Sequence, residues 1–278
     1  DVDIREGTSR FPLPFPHTPG LEPVGRIESI GDGVEGWSVG DRAHVYLSRT
    51  CGSCRFCRGG TENLCPQAGI VGLATDGGYA THLRCPASML IPVPEGLSDA
   101  EAAATPIAFG TAWHMLFTMA GLRAGETVLI NSVASGIGSA ALQLATLTGA
   151  FTIGTASTRE KLDRATALAL ELAIDYTRES VPDAVLAATD GAGADVVFEH
   201  VGGDSFQRGL DSLARNGRMV VAGGHAGEVV PFDIIPFFRG QKRVLGSSAF
   251  TSDEVRTVLA LAAHGRVQPL VHATFPLA

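Results

Sequence analysis

Between Thr127 and Leu245 the apolar positions follow two alternating periods. Short continuous runs rich in strand formers occupy 127–131, 151–155, 172–176, 195–199 and 218–222, with a last one near Arg243–Leu245. Between them, at 136–147, 159–169, 182–188 and 204–214, apolar residues recur three and four apart, as on one face of a helix. Strand and helix alternate with short connections, so the pattern predicts an α/β fold with a parallel, doubly wound sheet. Residues 1–98 read differently. They are rich in Gly and Pro, with five prolines between Phe11 and Pro23, and they predict short strands at Gly25–Ile30, Arg42–Leu47 and Gly78–Arg84. Turns are expected at Gly31-Asp32-Gly33 and Asp76-Gly77-Gly78. At Ser98-Asp99-Ala100-Glu101 a capping box opens an Ala-rich helix, and a second helix is expected over Thr111–Ala120, stopped by Gly121. Beyond Gly246 one helix, Glu254–His264, and one strand-like run, Val267–Phe275, remain.

The stretch Glu126–Ala150 organises the rest. Thr127–Ile130 is a strand, Ser132–Ser135 a turn of small residues, and Gly136-Ile137-Gly138 opens a helix that Thr148-Gly149 stops. Strand, small-residue turn, helix and strand form the first half of a dinucleotide-binding fold. Residues without bulk let the backbone approach a pyrophosphate, whose charge rests on the amides of the helix N-terminus. With Gly138 as the third glycine of G-x-G-x-x-G, the first two fall on Val133 and Ser135. An ordinary α/β turn is the alternative, and the strand–helix pairs that follow favour the nucleotide site.

Composition narrows the class. The 278 residues allow one large or two ordinary domains, and 45% hydrophobic with 18% charged content supports a sizeable core and argues against disorder. A formal net charge of −8 with no basic stripe makes nucleic acid a poor partner. No apolar run reaches membrane-spanning length and no signal peptide is visible, although the first residue is not Met. A cytoplasmic protein acting on a small molecule is the expectation.

Four of the five cysteines lie in Cys51-x2-Cys54-x2-Cys57-x7-Cys65. Thiolates at this spacing wrap one ion tetrahedrally, and four sulfurs leave no open position, so Cys51, Cys54, Cys57 and Cys65 predict one structural zinc. Unrelated buried thiols and an iron–sulfur cluster are the alternatives. Cys85 stands alone and reads as packing.

Taken in order, Gly20-Leu21-Glu22-Pro23-Val24-Gly25, Val39-Gly40-Asp41-Arg42, the four-cysteine lobe, Gly77-Gly78-Tyr79-Ala80 and Gly136-Ile137-Gly138 resemble the medium-chain dehydrogenase/reductase superfamily over nearly the whole chain. The resemblance implies a GroES-like β-rich domain at 1–98, an inserted Rossmann NADP-binding domain at 99–246 and a return to the first domain at 247–278, with the active cleft between them. Family members begin earlier and end later, so the chain is expected to be trimmed at both ends.

Zinc alcohol dehydrogenases of that superfamily hold a second, catalytic zinc. The His of their G-H-E motif is Leu21 here, and Thr105–Trp113 contains neither Cys nor His where another ligand stands. The third family ligand would precede Asp1. No catalytic zinc is therefore expected; His17 and His44 read as structural hydrogen-bonders. Pro19–Gly25 and Thr111-Ala112-Trp113 resemble instead the zinc-independent quinone oxidoreductases, which pass hydride from NADPH to quinones or activated C=C bonds. Most of those lack the cysteine lobe, so the chain is mixed. An alcohol or aldehyde dehydrogenase and a nucleotide-binding protein without turnover remain the alternatives.

The expected cofactor residues are Ser135, Gly136, Ile137 and Gly138 at the pyrophosphate, Thr111 near the nicotinamide by resemblance, and Val201 and Gly223 at the carboxyl ends of their strands. His200 and His225 lie at the same ends and read as solvated histidines, and Glu22 as a core acceptor. No proton donor is nominated. An NAD site places Asp or Glu at the end of the second strand. Here Phe151–Ala156 is followed by Ser157, Thr158 and Arg159, which predicts NADPH. Lys161 and Tyr176 match the Lys and Tyr that hold the 2′-phosphate in the quinone oxidoreductases. The resemblance also implies a homodimer in which the strand near Arg243–Leu245 pairs with its copy, since an open edge is a liability; cover by Ile234–Phe238 is the alternative.

Overall fold

A computed structural model of the chain describes residues 1–8, 13 and 15–277. The chain divides into two units, Asp1–Gly110 with Phe250–Ala278, and Thr111–Ala249.

The first unit opens with helix α1 (Val2–Glu6). An antiparallel sheet in the order β1-β2-β5 joins β1 (Val24–Arg26), β2 (Arg42–Val45) and β5 (Leu90–Pro92), and β3 (Ser48–Arg49) pairs with β4 (Gly69–Ile70). Val45, Val71 and Met89 form its small apolar core. Two expected strands are absent among the described residues. Gly78–Arg84 is irregular because its backbone bonds to a loop rather than a strand: Gly77 N donates to Thr18 O (2.7 Å), Gly78 N to Gly20 O (2.9 Å) and Tyr79 N to Pro19 O (2.9 Å). Val267–Phe275 finds no strand partner among the described residues, and Leu270 and Phe275 are exposed. The strand expected over Gly25–Ile30 stops at Arg26, where the chain leaves for the turn at Gly33, whose φ is +77°.

Helix α2 (Arg55–Arg58) lies in the cysteine lobe, and α3 (Asp99–Ala104) starts on the expected capping box, with Ser98 Oγ accepting from Glu101 N and Glu101 returning to Ser98 N. Helix α4 (Pro106–Trp113) follows at once. The first unit thus runs on to Gly110, past the boundary expected at residue 98. Arg42 on β2 explains part of this, gripping Asp99 (2.6 Å) and Leu97 O (2.9 Å), and Glu22 accepts from Ile107 N (2.8 Å). Helix Ser252–Ala263 returns to this unit, where Glu62 accepts from Ser252 N (2.7 Å) and Tyr46 donates to Phe250 O (2.5 Å).

In the second unit α4 continues into a π-helical stretch, His114–Met119, ended by Gly121 at φ +60°. Six parallel strands follow: β6 (Thr127–Ile130), β7 (Phe151–Ala156), β8 (Leu172–Asp175), β9 (Ala194–Glu199), β10 (Leu213–Val221) and β11 (Arg243–Gly246). Their order is β11-β10-β9-β6-β7-β8, with helices α5 (Gly136–Thr148), α6 (Arg159–Thr166), α7 (Val181–Ala188), α8 (Asp204–Ser212) and α9 (Ile234–Arg239). The central strands are apolar without alternation because helices cover both faces, as parallel sheets require. Leu129, Ile153, Val197 and Met219 pack with Val185, Phe206 and Leu210 of α7 and α8. Helix 204–214 ends early, at Ser212, and β10 begins five residues before Arg218 with a register shift that places Asn216 at φ +61°. Helix α9 forms where none was expected, its start capped by Asp233, which accepts from Ile235 N (3.0 Å).

The amino end of the sheet is tied by one buried cation. Arg218 makes two bonds of 2.7 Å to Glu126 and reaches Ala120 O (2.8 Å), Gly121 O and Asp195 O (both 3.2 Å). Burial pushes the Glu126 carboxyl up, but the Arg218 hydrogen bond, the Arg123 amide and the charges of Arg218 and Arg123 together outweigh it and hold the group below the usual range. The opposite, carboxyl end is where the order turns. β6 has β7 on one side and β9 on the other, which opens the crevice in which such sheets take their ligands.

Candidate functional sites: a thiolate cluster and a nucleotide crevice

The lobe between β3 and β4 brings the four cysteines together. Their Sγ atoms all lie within 4.8 Å of one another, with Cys54–Cys57 at 3.5 Å and Cys51–Cys57 at 3.9 Å, and all four are free thiols. A tetrahedron with Zn–S near 2.3 Å has edges of about 3.8 Å, so the cluster fits zinc with little rearrangement. Backbone amides already point at the sulfurs: Cys54 N at Cys51 Sγ (3.3 Å), Cys57 N at Cys54 Sγ (3.5 Å) and Cys51 N at Cys65 Sγ (3.5 Å). The amides of Ser53 and Cys54 lower the Cys51 thiol to about 6, whereas burial and the neighbouring thiols raise Cys57 to about 11. A divalent cation would deprotonate all four. With every ligand a thiolate, such a site holds the lobe and offers no position for substrate.

In the same unit a cavity of about 610 Å³ is lined by Gly20, Leu21, Glu22, Tyr79, Ala103 and His272 among others. Burial raises the Glu22 carboxyl to about 7, against the opposing bond from Ile107 N. A carboxyl near neutrality is suited to moving a proton. Here it also accepts the second amide of α4, a donor that a helix beginning with proline leaves without an intrahelical partner.

The crevice at the carboxyl end of the parallel sheet collects most of the expected cofactor residues. Ser135 caps α5 by accepting from Gly138 N (3.0 Å), and the first amides of the helix follow. A Cβ on Gly138 would lie 2.9 Å from Val133 Cα and from Ser135 Oγ, whereas Gly136 faces open space, as a turn that admits a pyrophosphate requires. The loops that carry Val201 and Gly223 pack backbone to backbone. Ala226 N donates to Val201 O (2.8 Å) and Gly203 N to Gly227 O (3.0 Å), and a Cβ on Gly202 would come within 2.7 Å of Gly224 Cα.

A buried carboxylate joins this clamp to the turn. Glu199, fully buried at the end of β9, accepts from Val201 N (2.6 Å), Gly202 N (2.8 Å), Asn131 Nδ2 (2.5 Å) and Ser205 Oγ (2.8 Å). Four donors match what a carboxylate can accept, which is the condition for burying one. His200 Nε2 lies 2.9 Å from Asn131 O and 3.4 Å from Ser135 Oγ, and burial lowers its pKa. The expectation of a solvated histidine therefore does not hold for His200. Asn131 and Glu199 were not singled out from sequence; the one signal was a charged residue closing the apolar run Val196-Val197-Phe198.

At the end of β7, Thr158 spends its hydroxyl capping α6 at Lys161 N (3.3 Å), and Arg159 pairs with Asp163 (2.8 Å). Lys161 is exposed. Tyr176, just past β8, donates its backbone N–H to Ala156 O (3.3 Å). Ser157 is half-buried beside them. Thr111 sits within α4, and no hydrogen bond ties it to this group among the described residues.

Residues 1–95 match the family described as alcohol dehydrogenase GroES-like domain, and residues 136–264 the one described as zinc-binding dehydrogenase. An alcohol dehydrogenase of Geobacillus stearothermophilus is 31% identical over 92% of this chain and 75% of its own. The chain belongs to the medium-chain dehydrogenase/reductase superfamily. Its relatives include an acryloyl-coenzyme A reductase of Sulfurisphaera tokodaii, 28% identical over 95% of this chain and 78% of that protein. Among solved structures, an NAD-dependent alcohol dehydrogenase superposes with a TM-score of 0.90 at 36% identity, covering 97% of this chain and 78% of that one. The 2-octenoyl-CoA carboxylase reductase CinF, solved with NADP and 2-octenoyl-CoA, superposes at 0.83 and 27% identity, covering 91% and 61%. As a superfamily member the chain is an oxidoreductase, with a GroES-like domain, a Rossmann sheet and a cysteine cluster of structural-zinc type. No helix among the described residues is long and apolar enough to cross a membrane.

Proposed function

We propose that the protein passes a hydride from NADPH to an activated C=C bond or a quinone without a catalytic zinc. The observation that carries this is Leu21. An apolar side chain stands in the G-H-E position, between Gly20 and a Glu22 whose carboxylate is engaged by Ile107 N. A ligand set of three cannot form around an alkyl group, and without a Lewis acid to polarise an alcohol oxygen the conjugated acceptor is the better electrophile. A bound dihydronicotinamide would supply the hydride for the β-carbon and be oxidised in doing so, and solvent or a nearby hydroxyl would supply the proton for the α-carbon. The cofactor carries this chemistry and the chain orients it. Ser135, Gly136, Ile137 and Gly138 would receive the pyrophosphate, Val201 and Gly223 the nicotinamide side together with Thr111, and Lys161 and Tyr176 the 2′-phosphate. The names of the acryloyl-coenzyme A reductase and of CinF support an enoyl acceptor, whereas the alcohol dehydrogenase relatives favour the alternative, alcohol or aldehyde oxidoreduction.

The test is a substrate panel with metal analysis. NADPH absorbance should fall with an enone, an enoyl thioester or a quinone and not with aldehydes, and the purified chain should carry one zinc, on the thiolate cluster. Turnover of aldehydes with two zincs per chain would overturn the proposal, and tight nucleotide binding without turnover on any acceptor would favour a binding protein. We also infer a homodimer through β11. That strand is one of the sheet's two edges, and Val229, Phe232, Ile234, Ile235 and Phe238, shortly before it in sequence, are exposed. A monomer mass by light scattering at micromolar concentration would reject it.

A further inference from the structure

Arg208 lies in the middle of α8, half-buried, with its guanidinium 5.1 Å above the centre of the Tyr176 ring. A partly buried cation ordinarily takes a carboxylate. Two stand within helical reach, Asp204 one turn before and Asp211 three residues on, yet Arg208 forms an ion pair with neither among the described residues. Asp211 instead accepts from Gln207 (2.9 Å). Other surface arginines behave in the ordinary way: Arg159, Arg164 and Arg256 each pair with a carboxylate on their own helix. Arg208 is therefore turned toward Tyr176 and keeps its donors uncommitted to any anion.

Tyr176 fixes where those donors are. Its N–H is bonded to Ala156 O, the last residue of β7, so the ring rises beside the turn Ser157–Lys161. Leu172 and Ile174 of β8 face the core shared with α7 and α8, and strand alternation carries Tyr176 to that same side, where Arg208 meets it. Ser157–Arg159 carries no carboxylate, the Thr158 hydroxyl caps a helix, Arg159 is paired with Asp163, and Glu160 is engaged by Arg164 on α6. Lys161 stands in the first turn of α6, directly after this stretch, and Arg208 of α8 stands over the Tyr176 ring. We propose that Arg208 is a specificity-determining residue for the 2′-phosphate of the cofactor's adenosine half, held by stacking on Tyr176. A planar guanidinium suits this role because it stacks on an aromatic face and still presents paired donors to phosphate. The inference rests on the NADPH reading above.

The experiment is titration calorimetry on the full chain and on Arg208→Ala, Arg208→Lys and Lys161→Ala. The ligands are NADPH, NADH, adenosine 2′-phosphate and adenosine 5′-phosphate. Arg208→Ala should weaken NADPH and adenosine 2′-phosphate about tenfold or more and leave NADH and adenosine 5′-phosphate within about twofold, with Arg208→Lys between. Wild-type preference for NADH would refute the cofactor reading itself. Wild-type preference for NADPH that Arg208→Ala leaves intact, or equal weakening of both nucleotides, would refute the role of Arg208 alone. If Arg208→Ala fails to fold, Arg208→Gln keeps the length and packing of the side chain without its charge and should give the same split; an unchanged NADPH preference in that variant would sink the proposal.

Discussion

Replacing Glu22 by glutamine isolates the proton that burial forces onto this carboxyl. In the folded chain the group titrates near 7 rather than 4.5, chiefly because burial penalises its charge. The folded state therefore holds a proton that the unfolded chain releases first. Below about pH 4.5 both states are protonated and Glu22 costs nothing; stability falls as pH rises from there, and the loss is complete above about 7. At about 1.4 kcal/mol for each pH unit between the two values, the loss amounts to about 3 kcal/mol. His44 acts in the opposite sense. Burial lowers it from 6.5 to about 4, and its Nδ1 has no partner among the described residues, so charging it costs stability as pH falls through that window. Over roughly pH 4.5–6.5 the two slopes nearly cancel in the wild type. Glutamine keeps the shape and an oxygen for Ile107 N but cannot ionise. Urea midpoints of both proteins, zinc-saturated, should coincide near pH 4.5 and separate to about 2–3 kcal/mol in favour of Glu22→Gln near pH 8. A difference independent of pH over that range would refute the reasoning.

Cys65→Ser should abolish zinc retention in metal analysis. It should destabilise the chain by well under the roughly 10–16 kcal/mol of an isolated zinc peptide, because the sheets persist without the lobe. Arg218→Ala strands Glu126 and three carbonyls, and should cost about 3–5 kcal/mol in denaturant melts. Because Glu126 is held below its ordinary value, that penalty should shrink as pH falls through the carboxylate range. Glu199→Ala leaves four buried donors unmet and should lower stability by about 3 kcal/mol or more, measured the same way. Lys161→Ala should raise the dissociation constant of NADPH roughly ten- to hundredfold and barely move that of NADH; equal weakening would count against the assignment.

The parallel sheet could be read from sequence because burial on both faces writes each of its central strands as an unbroken apolar run. The cap at Ser98 was legible because it is a local bond between residues three apart. Segments whose conformation depends on remote backbone were not legible. Gly78–Arg84 has strand-like residues, but its first two amides, Gly78 and Tyr79, are claimed by Gly20 and Pro19, some sixty positions away. The cysteines announced their cluster by spacing, since one ion imposes one geometry. Asn131, Glu199 and Arg208 carry no such spacing. Each becomes meaningful only when the sheet places it beside a partner, Asn131 and Glu199 by 68 positions and Arg208 by the ring of Tyr176.

The paired glycine loops limit how this crevice can be redesigned. Gly202, Gly203 and Gly227 have positive φ and lie so close to opposing main chain that no side chain fits at 202 or 203. A mutant library that randomised these positions to enlarge or recolour the pocket would return mostly misfolded chains. Variation has to enter through Val201, which is half-buried, and His225 and Ala226, which are exposed. The repertoire of ligands open to this scaffold at that point is thus written in three positions, and a search for new acceptors or altered cofactors gains most by sampling those first.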